Sequence, residues 1–211
     1  YTTSHPKDMT NDLIEVYKSS NKLMPLVHLP VQSGSNKILK LMNRNHSIEN
    51  YLETFNKLKE INSKIEFSSD FIIAYPGEEN QDFEDTLNLI KKVKFINSYS
   101  YIFSPRPGTV SENLNLIDKK TSFERLEIIQ NELFENQIQK NKSLENSIVE
   151  VLVENFTEDK TKTFGRSKHM TSVIFDGKKS DIGKIVQVKI SKSNRSTLFG
   201  EIVDNSNQKV A

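Results

Sequence analysis

The 211-residue chain contains no cysteine and only 7 glycines. Without cysteine, these residues can form neither disulfide bonds nor thiolate-held metal sites. No apolar run approaches the about 20 residues of a membrane-spanning helix, and no signal-peptide pattern opens the chain, so we expect a cytoplasmic protein without a membrane partner. The chain begins at Tyr1 rather than at methionine, which indicates a fragment, although a deliberately shortened chain would look the same.

Charge is nearly balanced over the whole chain, with 29 basic and 28 acidic side chains. Its distribution is uneven, because residues 146–211 carry 11 Lys/Arg against 8 Asp/Glu, whereas residues 1–145 carry 18 against 20. A small basic module beside a nearly neutral body is compatible with phosphate contacts. This imbalance alone does not decide between a nucleic-acid surface and an ordinary basic domain.

The first two thirds of the chain alternate apolar strands with helices of period 3.6. This alternation predicts right-handed βαβ units and a parallel sheet, and the apolar run Phe71–Tyr75 predicts burial on both faces. Three or four strands are too few to close a barrel, so we expect a partner segment upstream. The predicted strands are 26–29, 65–75 and 98–103, and the predicted helices are 10–20, 35–44, 47–61, 80–94 and a long one capped by Thr121 and Glu124.

The pattern changes near Ser147. Five short strands are predicted within about 60 residues, a spacing typical of a small antiparallel barrel of the OB type, which is a common RNA-binding platform. The sequence therefore predicts an α/β domain over residues 1–145 and an all-β barrel over residues 146–211. The five strands are 148–153, 162–166, 172–175, 184–190 and 197–203.

Two blocks, HLPVQSGSNKILKLMNR at residues 28–44 and SSDFIIAYPGEENQDFE at residues 68–84, stand out. Each runs from an apolar strand through a glycine-containing turn into a helix. Open and barrel-shaped α/β proteins bind ligands at such turns, beside the carboxyl ends of the strands. Gln32 and Ser33 can hydrogen-bond a ribose or a carboxylate there. The alternative is a polar turn that only caps the helix.

Four further side chains lie near predicted strand or helix ends. Arg44 can contact a ligand, or it can be a solvated cation at a helix C-terminus. Asp70 is expected to be buried and to bond an amide, a basic group or a ligand, because an unpaired buried carboxylate is costly. Phe103 can be a core residue or can cover an adenine ring. Arg106, in a rigid Pro-Arg-Pro-Gly turn, can reach a phosphate or a substrate base.

Aromatic and cationic residues interleave in the C-terminal strands. Such side chains can stack on bases and contact phosphates, although any small basic barrel would contain some of them. His5 and His28 lack cysteine or carboxylate partners at the spacing of metal ligands. We therefore expect them to have a structural or substrate-facing role rather than to form a metal site. The interleaved residues are Phe164, Arg166, Lys168, His169, Arg195 and Phe199.

The two blocks, together with YTTSHP at residues 1–6, resemble the radical S-adenosylmethionine methylthiotransferases, and YTTSHP favours the tRNA-modifying branch. The resemblance implies the second half of a radical SAM (β/α) TIM-like barrel followed by an OB-like TRAM domain. Ala74 departs from the family, which usually has glycine there. The implied contacts to S-adenosylmethionine are Gln32, Ser33, Arg44, Asp70 and Phe103, and those to the tRNA anticodon arm are Arg106, Phe164, Arg166, Lys168, Arg195 and Phe199.

The resemblance also implies an activity, methylthiolation at C2 of N6-isopentenyladenosine next to the anticodon. The family uses two 4Fe–4S clusters, and their cysteines are absent from this chain. We therefore expect the chain alone to be inactive and to need an N-terminal portion of the same enzyme as its partner.

Two alternatives stay open from the sequence. Sister enzymes that act on threonylcarbamoyladenosine in tRNA or on a ribosomal protein share the Pro-Gly-Glu block, but they usually differ at YTTSHP and around HLPVQSGS. A non-catalytic RNA-binding protein with a degenerate half-barrel is the other class. An upstream CxxxCxxC motif would favour the enzyme.

Overall fold

The computed structural model describes residues 2 and 4–203 of the chain. The chain divides after Asn136 into two compact units. The domain boundary predicted between residues 145 and 146 stays a prediction. Within the described part, no helix combines the length and the apolar character needed to cross a membrane.

The first unit alternates helices and strands, as predicted. Short 3-10 turns at Pro6–Asp8 and Val110–Asn113 accompany the regular elements. The elements are α1 (Asn11–Ser19), β1 (Leu26–His28), α2 (Asn36–Leu41), α3 (Ile48–Ile61), β2 (Glu66–Ser68), β3 (Asp70–Ile73), α4 (Asn80–Val93), β4 (Tyr99–Ile102) and α5 (Lys119–Lys142), the last of which continues past Asn136.

All strands of the first unit run parallel. β1 pairs with β2, and β3 pairs with β4 so that Asp70 lies opposite Tyr99. An isolated bridge between Gln32 and Phe71 extends the first pairing beyond β1. Because the strands are parallel, their carboxyl ends meet at one edge, and the predicted parallel sheet is confirmed.

The strand predicted over residues 65–75 is broken and shorter. The break falls at Ser69, whose Oγ accepts from Val31 N at 2.9 Å and whose N–H donates to Ser98 Oγ at 2.9 Å. The strand ends because Ala74 has a left-handed φ of 59°. The predicted burial on both faces is also wrong, since Ile72 is half-buried between two buried neighbours.

Helices cover one face of this sheet, and the other face is open among the described residues. On the covered face, Tyr51, Phe71 and Phe95 form an aromatic cluster. On the open face, Tyr99 and Tyr101 are 61% and 56% exposed, and their nearly parallel rings lie 6.5 Å apart. Parallel sheets are usually covered on both sides, so this face resembles the interior of a larger barrel.

Two predicted helix ends are wrong. α2 ends at Leu41 instead of Arg44. α5 begins at Lys119, before the predicted cap at Thr121, because the Asp118 carboxylate accepts the Thr121 N–H at 2.9 Å and caps the helix itself.

A buried ion pair fixes the turn that follows β3. Glu78 Oε1 accepts from Ala74 N at 3.1 Å and from the Arg125 guanidinium at 2.8 Å. Arg125 also donates to Asn80 Oδ1 at 2.8 Å and lies over the Phe83 ring. Burial raises the pKa of Glu78, and Arg125 only partly opposes that rise. The pair therefore joins the β3 turn to α4 and α5.

The second unit is a closed five-stranded barrel in the order β5-β6-β7-β9-β8. All pairings are antiparallel except the parallel one between β7 and β9, which the sequence did not predict. The predicted OB-like barrel is confirmed. Its strands are β5 (Ile148–Phe156), β6 (Thr163–Ser167), β7 (Ser172–Asp176), β8 (Ile185–Ser193) and β9 (Thr197–Ile202).

Alternate residues of these strands fill the barrel. A side chain at Gly165 would overlap the Leu152 carbonyl, and one at Gly200 would overlap the Lys189 carbonyl, so both glycines allow close approach of neighbouring strands. The buried apolar residues are Val151, Val153, Val173, Phe175, Val188, Ile190 and Leu198.

Arg125→Ala is expected to lower the free energy of unfolding by about 3–5 kcal/mol, because it leaves the buried Glu78 carboxylate without its counter-charge. Urea unfolding followed by circular dichroism measures this loss. Lys120→Ala is the control, since its ion pair with Glu124 is exposed and long at 3.9 Å, and such pairs contribute about 0–1 kcal/mol. Equal losses in the two variants would contradict the role of the buried pair.

Candidate functional site

Three predicted site residues lie on neighbouring strands, with Gln32 and Phe103 at the carboxyl ends of their strands and Asp70 at the start of β3. Backbone hydrogen bonds hold them on neighbouring strands. Gln32 N donates to Asp70 O at 3.0 Å, and Phe103 N donates to Ile73 O at 2.8 Å. Their alignment follows from the parallel register, as the sequence predicts for strand ends.

Gln32 is the residue whose backbone conformation and side-chain amide point most directly to a ligand. Its φ is 73°, a backbone conformation that non-glycine residues rarely adopt. The residue is only 7% exposed, yet its side-chain amide makes no hydrogen bond to any residue in the described part of the chain. Strained backbone residues concentrate at ligand sites. The amide is therefore available to a ligand at this edge.

The Ser33 hydroxyl is hydrogen-bonded within the protein. Its Oγ accepts from Ser35 N at 3.2 Å and shares a 3.3 Å hydrogen bond with Thr86 Oγ1 of α4. Gly34 N donates to the same Thr86 hydroxyl at 2.8 Å, and a Cβ on Gly34 would overlap the α4 backbone. These contacts match the helix-cap interpretation of Ser33, and its predicted role as a cofactor ligand stays a prediction.

Asp70 lies in a hydrogen-bonded group on the open face of the sheet. The His28 ring joins Ser68 Oγ at 2.9 Å through Nδ1 and faces Asp70 Oδ2 at 3.6 Å through Nε2. The expected burial of Asp70 is wrong, because its side chain is 32% exposed. Its nearest charge partner is the basic group of a histidine, one of the partners expected from sequence.

Phe103 borders an apolar cavity of about 400 Å³. Its half-buried ring meets the Tyr75 ring edge-on at 4.7 Å, and the Tyr75 hydroxyl donates to Leu41 O at 3.1 Å. An apolar cavity beside polar strand ends suits a planar heterocycle such as adenine. The apolar lining comprises Ala74, Ile102, Phe103, Leu116, Ile117 and Phe123.

Arg44 lies near two histidines, of which His46 was missed by sequence reasoning. The half-buried Arg44 side chain makes no ion pair or hydrogen bond to any described residue. The rings of His5 and His46 meet edge-to-face at 5.3 Å. Both ring nitrogens of His46 are shielded from solvent and lack a hydrogen-bond partner among the described residues. No spacing in the sequence marks this burial, because it depends on the distant His5.

The two histidines carry little positive charge near neutral pH. Burial lowers the pKa of His46 to about 4, with further lowering by His5 and Arg44, while the Val31 backbone opposes the shift. The pKa of His5 is also lowered, first by burial and then by Arg44. Arg44 is therefore the cation of this group at pH 7, and it suits a single anionic group such as a carboxylate.

The RNA-contact candidates fall in both units. Arg106 of the first unit is exposed in a turn where Thr109 Oγ1 donates to Arg106 O at 2.7 Å. Arg195 of the second unit is exposed between β8 and β9. Asn141 Nδ2 donates to Asn194 O at 2.8 Å and to Arg195 O at 2.9 Å, so this turn is held in place.

The remaining RNA candidates lie on the outside of the barrel. Arg166 lies over the Phe164 ring at 5.4 Å and faces Glu154 at 3.4 Å. Lys168 pairs with Glu150. Phe199 projects half-buried from β9. The cations are therefore held by carboxylates or rings, and their predicted contacts to RNA stay predictions.

An iron–sulfur cluster does not fit these residues. The sequence has no cysteine, and no group of three or more potential metal-ligating side chains occurs within residues 2 and 4–203. S-adenosylmethionine does fit, because the Gln32 amide and the Arg44 guanidinium make no hydrogen bond to a described residue and can bind the polar groups of the cofactor.

The His46 imidazole is expected to titrate at about pH 4 instead of its ordinary 6.5, because burial penalises the charged ring. Ring-proton chemical shifts in an NMR pH titration measure this, and His46→Gln identifies the resonance. Between these two pH values the unfolded chain binds a proton that the folded chain does not, so stability falls as pH falls. A midpoint near 6.5 would show that the ring is solvated.

Comparisons with known proteins agree with this architecture. Residues 1–90 match the family model of the Radical SAM superfamily, and residues 142–203 match that of the TRAM domain. Over 211 residues the chain is 68% identical to the tRNA-2-methylthio-N(6)-dimethylallyladenosine synthase of Pelagibacter ubique, covering all of this chain and 47% of that protein. It is 47% identical to the protein of the same name from Rickettsia rickettsii, covering 96% of this chain and 46% of the relative.

The chain thus spans about half the length of these relatives. Among solved structures, coproporphyrinogen III oxidase from Escherichia coli, described as a radical SAM enzyme, aligns with a TM-score of 0.54 at 13% identity over 90% of this chain and 46% of its own. That likeness concerns the fold alone. The chain therefore contains a segment similar to the Radical SAM superfamily, followed by one similar to the TRAM domain, and over its length it resembles the two tRNA-2-methylthio-N(6)-dimethylallyladenosine synthases.

Proposed function

We propose that the chain is part of an enzyme that methylthiolates C2 of N6-isopentenyladenosine next to the tRNA anticodon. The observation that carries this proposal is the carboxyl edge of the sheet, where Gln32 has a positive φ and makes no side-chain hydrogen bond to a described residue, in a chain 68% identical to a relative named for that reaction. The active enzyme would contain a further N-terminal portion with the cysteines of two 4Fe–4S clusters. It would act on tRNA in the cytoplasm.

In this proposal Gln32, Arg44, Asp70 and Phe103 hold S-adenosylmethionine, and Ser33 shapes the turn between them. When bound, the cofactor would supply the radical that abstracts hydrogen from the substrate, and a second S-adenosylmethionine would supply the methyl group that is transferred. Arg44 would bind the cofactor carboxylate, because the two neighbouring imidazoles leave it as the local cation. Phe103 would cover the adenine and exclude water from its face.

The His28 group has a separate part in the proposal. His28 hydrogen-bonds Ser68 and places its Nε2 3.6 Å from the Asp70 carboxylate, so the carboxylate lies beside an imidazole on the open face. A hydroxyl group of the cofactor ribose is a suitable donor to this carboxylate. The residues of this chain would therefore bind and orient the cofactor and the RNA. The chemistry of the iron–sulfur clusters would take place on residues outside this chain.

The second unit, with the boundary proposed between residues 145 and 146, would bind the anticodon arm. Its support is the excess of basic over acidic residues and the outward arginines and aromatic rings of the barrel. Arg106 of the first unit would add a contact to phosphate or to the substrate base.

In the complete enzyme, Arg44→Ala is expected to weaken S-adenosylmethionine binding. Loss of a hydrogen bond to a charged group costs about 1.5–3 kcal/mol, which corresponds to about 10- to 150-fold in affinity. Isothermal titration calorimetry measures the change, and Lys40→Ala, which removes an exposed charge from the preceding helix α2, is the control. Unchanged affinity in the Arg44 variant would assign this arginine to the solvated surface.

Arg195→Ala is expected to reduce the salt dependence of tRNA binding by about one phosphate contact. Arg166→Ala should change the slope of log affinity against log salt concentration by at most one phosphate contact, because Glu154 already offsets part of the arginine charge. Gel-shift titrations at several salt concentrations measure the slope. Lys91→Ala, an exposed charge on α4, is the matched control.

If neither arginine variant alters the slope more than Lys91→Ala does, the barrel is not a phosphate-binding surface at these positions. Binding of tRNA by a complete protein that binds no S-adenosylmethionine would favour the non-catalytic RNA-binding alternative.

A further inference from the structure

Three outward side chains form a continuous row across the barrel of the second unit. The register places Phe164 of β6 opposite Ile174 of β7, and Ile174 opposite Phe199 of β9. We call these three residues the aromatic stripe. With neighbouring strands about 4.8 Å apart, the two phenylalanines lie on backbones roughly 10 Å apart.

The composition of the aromatic stripe is unusual for its position. Outward positions of a small barrel are usually polar, because the inward positions already supply the core. Here the inward neighbours, including Val173 and Leu198, are fully buried, so the stripe is not needed to fill the barrel. Its three side chains are half-buried and face outward.

A cation lies at each end of the stripe. The Arg166 guanidinium is 5.4 Å from the centre of the Phe164 ring. The Lys192 ammonium is 5.6 Å from the centre of the Phe199 ring, and the register places Lys192 directly opposite Phe199. The row is therefore apolar along its length and positive at both ends.

This arrangement matches the chemistry of an unpaired nucleotide strand. A base offers a flat π-face to an aromatic ring, and the adjoining phosphates offer negative charge to cations. In a duplex the base faces are covered by their stacked neighbours, so only a loop or another single-stranded segment exposes them. Glu154 already faces Arg166 at 3.4 Å, so a purely apolar partner would leave the Lys192 end of the row without counter-charge among the described residues.

We propose that the aromatic stripe binds two unpaired bases of an RNA loop by stacking on Phe164 and Phe199, with Ile174 between them. Arg166 and Lys192 contact the flanking phosphates. This inference rests on the proposed RNA binding of the second unit and adds the class of RNA segment, an unpaired loop rather than a duplex stem.

The test uses the 211-residue chain and two RNA probes with equal numbers of phosphates. One is a hairpin with 2-aminopurine in its unpaired loop, and the other is a fully paired duplex. Phe164→Leu and Phe199→Leu keep an apolar side chain but remove the ring. Each is expected to weaken hairpin binding by about 5- to 100-fold and to leave duplex binding and the salt slope unchanged. Stacking should also quench the 2-aminopurine fluorescence.

Two control variants separate stacking from folding. Phe199→Tyr retains a ring and is expected to retain hairpin affinity. Ile185→Ala removes an apolar side chain that is 66% exposed on β8 outside the stripe, and it is expected to change nothing. Circular dichroism checks that every variant is folded.

Several results would overturn the inference. Equal hairpin and duplex affinities that neither leucine variant changes would reject stacking and leave the proposed RNA binding intact. Absence of any RNA binding would remove the proposed function of this unit and the inference with it. Unchanged RNA affinity with altered self-association in sedimentation would identify the stripe as a protein contact.

Discussion

The buried ion pair between Glu78 and Arg125 is the interaction on which the carboxyl edge depends. Its carboxylate holds the backbone of Ala74 in a left-handed turn, and its guanidinium reaches Asn80 at the start of α4. α4 in turn supplies Thr86, which anchors the turn after β1. Buried pairs of this kind specify a conformation more than they add net stability. One pair thereby sets where both strand-end turns can lie.

The carboxyl edge of the sheet also combines strained backbone conformations with the cationic side chain of Arg44. Gln32 and Ala74 both have positive φ, and both follow strands whose ladders end there. Around Arg44, the lowered pKa values of His5 and His46 remove competing positive charge. Because shielding from water strengthens electrostatic interactions, a guanidinium in such surroundings can discriminate a carboxylate from a neutral group more sharply than a solvated one.

Local patterns in the sequence predicted most of the fold. Apolar periodicity located the helices of the first unit, and turn residues located the five strands of the barrel, because both signals act over a few residues. The break at Ser69 was missed, since it depends on hydrogen bonds from Val31 and to Ser98. The cap at Asp118 was missed because Thr121 offers an equally good local signal.

The candidate site was predictable to the extent that it consists of strand ends. Gln32 and Asp70 are neighbours because their strands pair in parallel, and Phe103 lies at the carboxyl end of the next strand for the same reason. The orientation of Ser33 was not predictable, because it is decided by Thr86, far along the chain. The burial of His46 and the row formed by Phe164, Ile174 and Phe199 likewise require long-range pairing, including the parallel contact of β7 with β9, that no local pattern encodes.

The two units differ in whether a strand edge is left unpaired, and this affects the behaviour of the chain in concentrated solution. The barrel closes on itself, so each of its five strands has two neighbours. β4 pairs only with β3 within the described residues, and it exposes Tyr99 and Tyr101. An unpaired strand edge with exposed aromatic side chains is a template for intermolecular pairing. Aggregation of the isolated chain would therefore start at residues 99–102, while the barrel would stay inert toward strand addition.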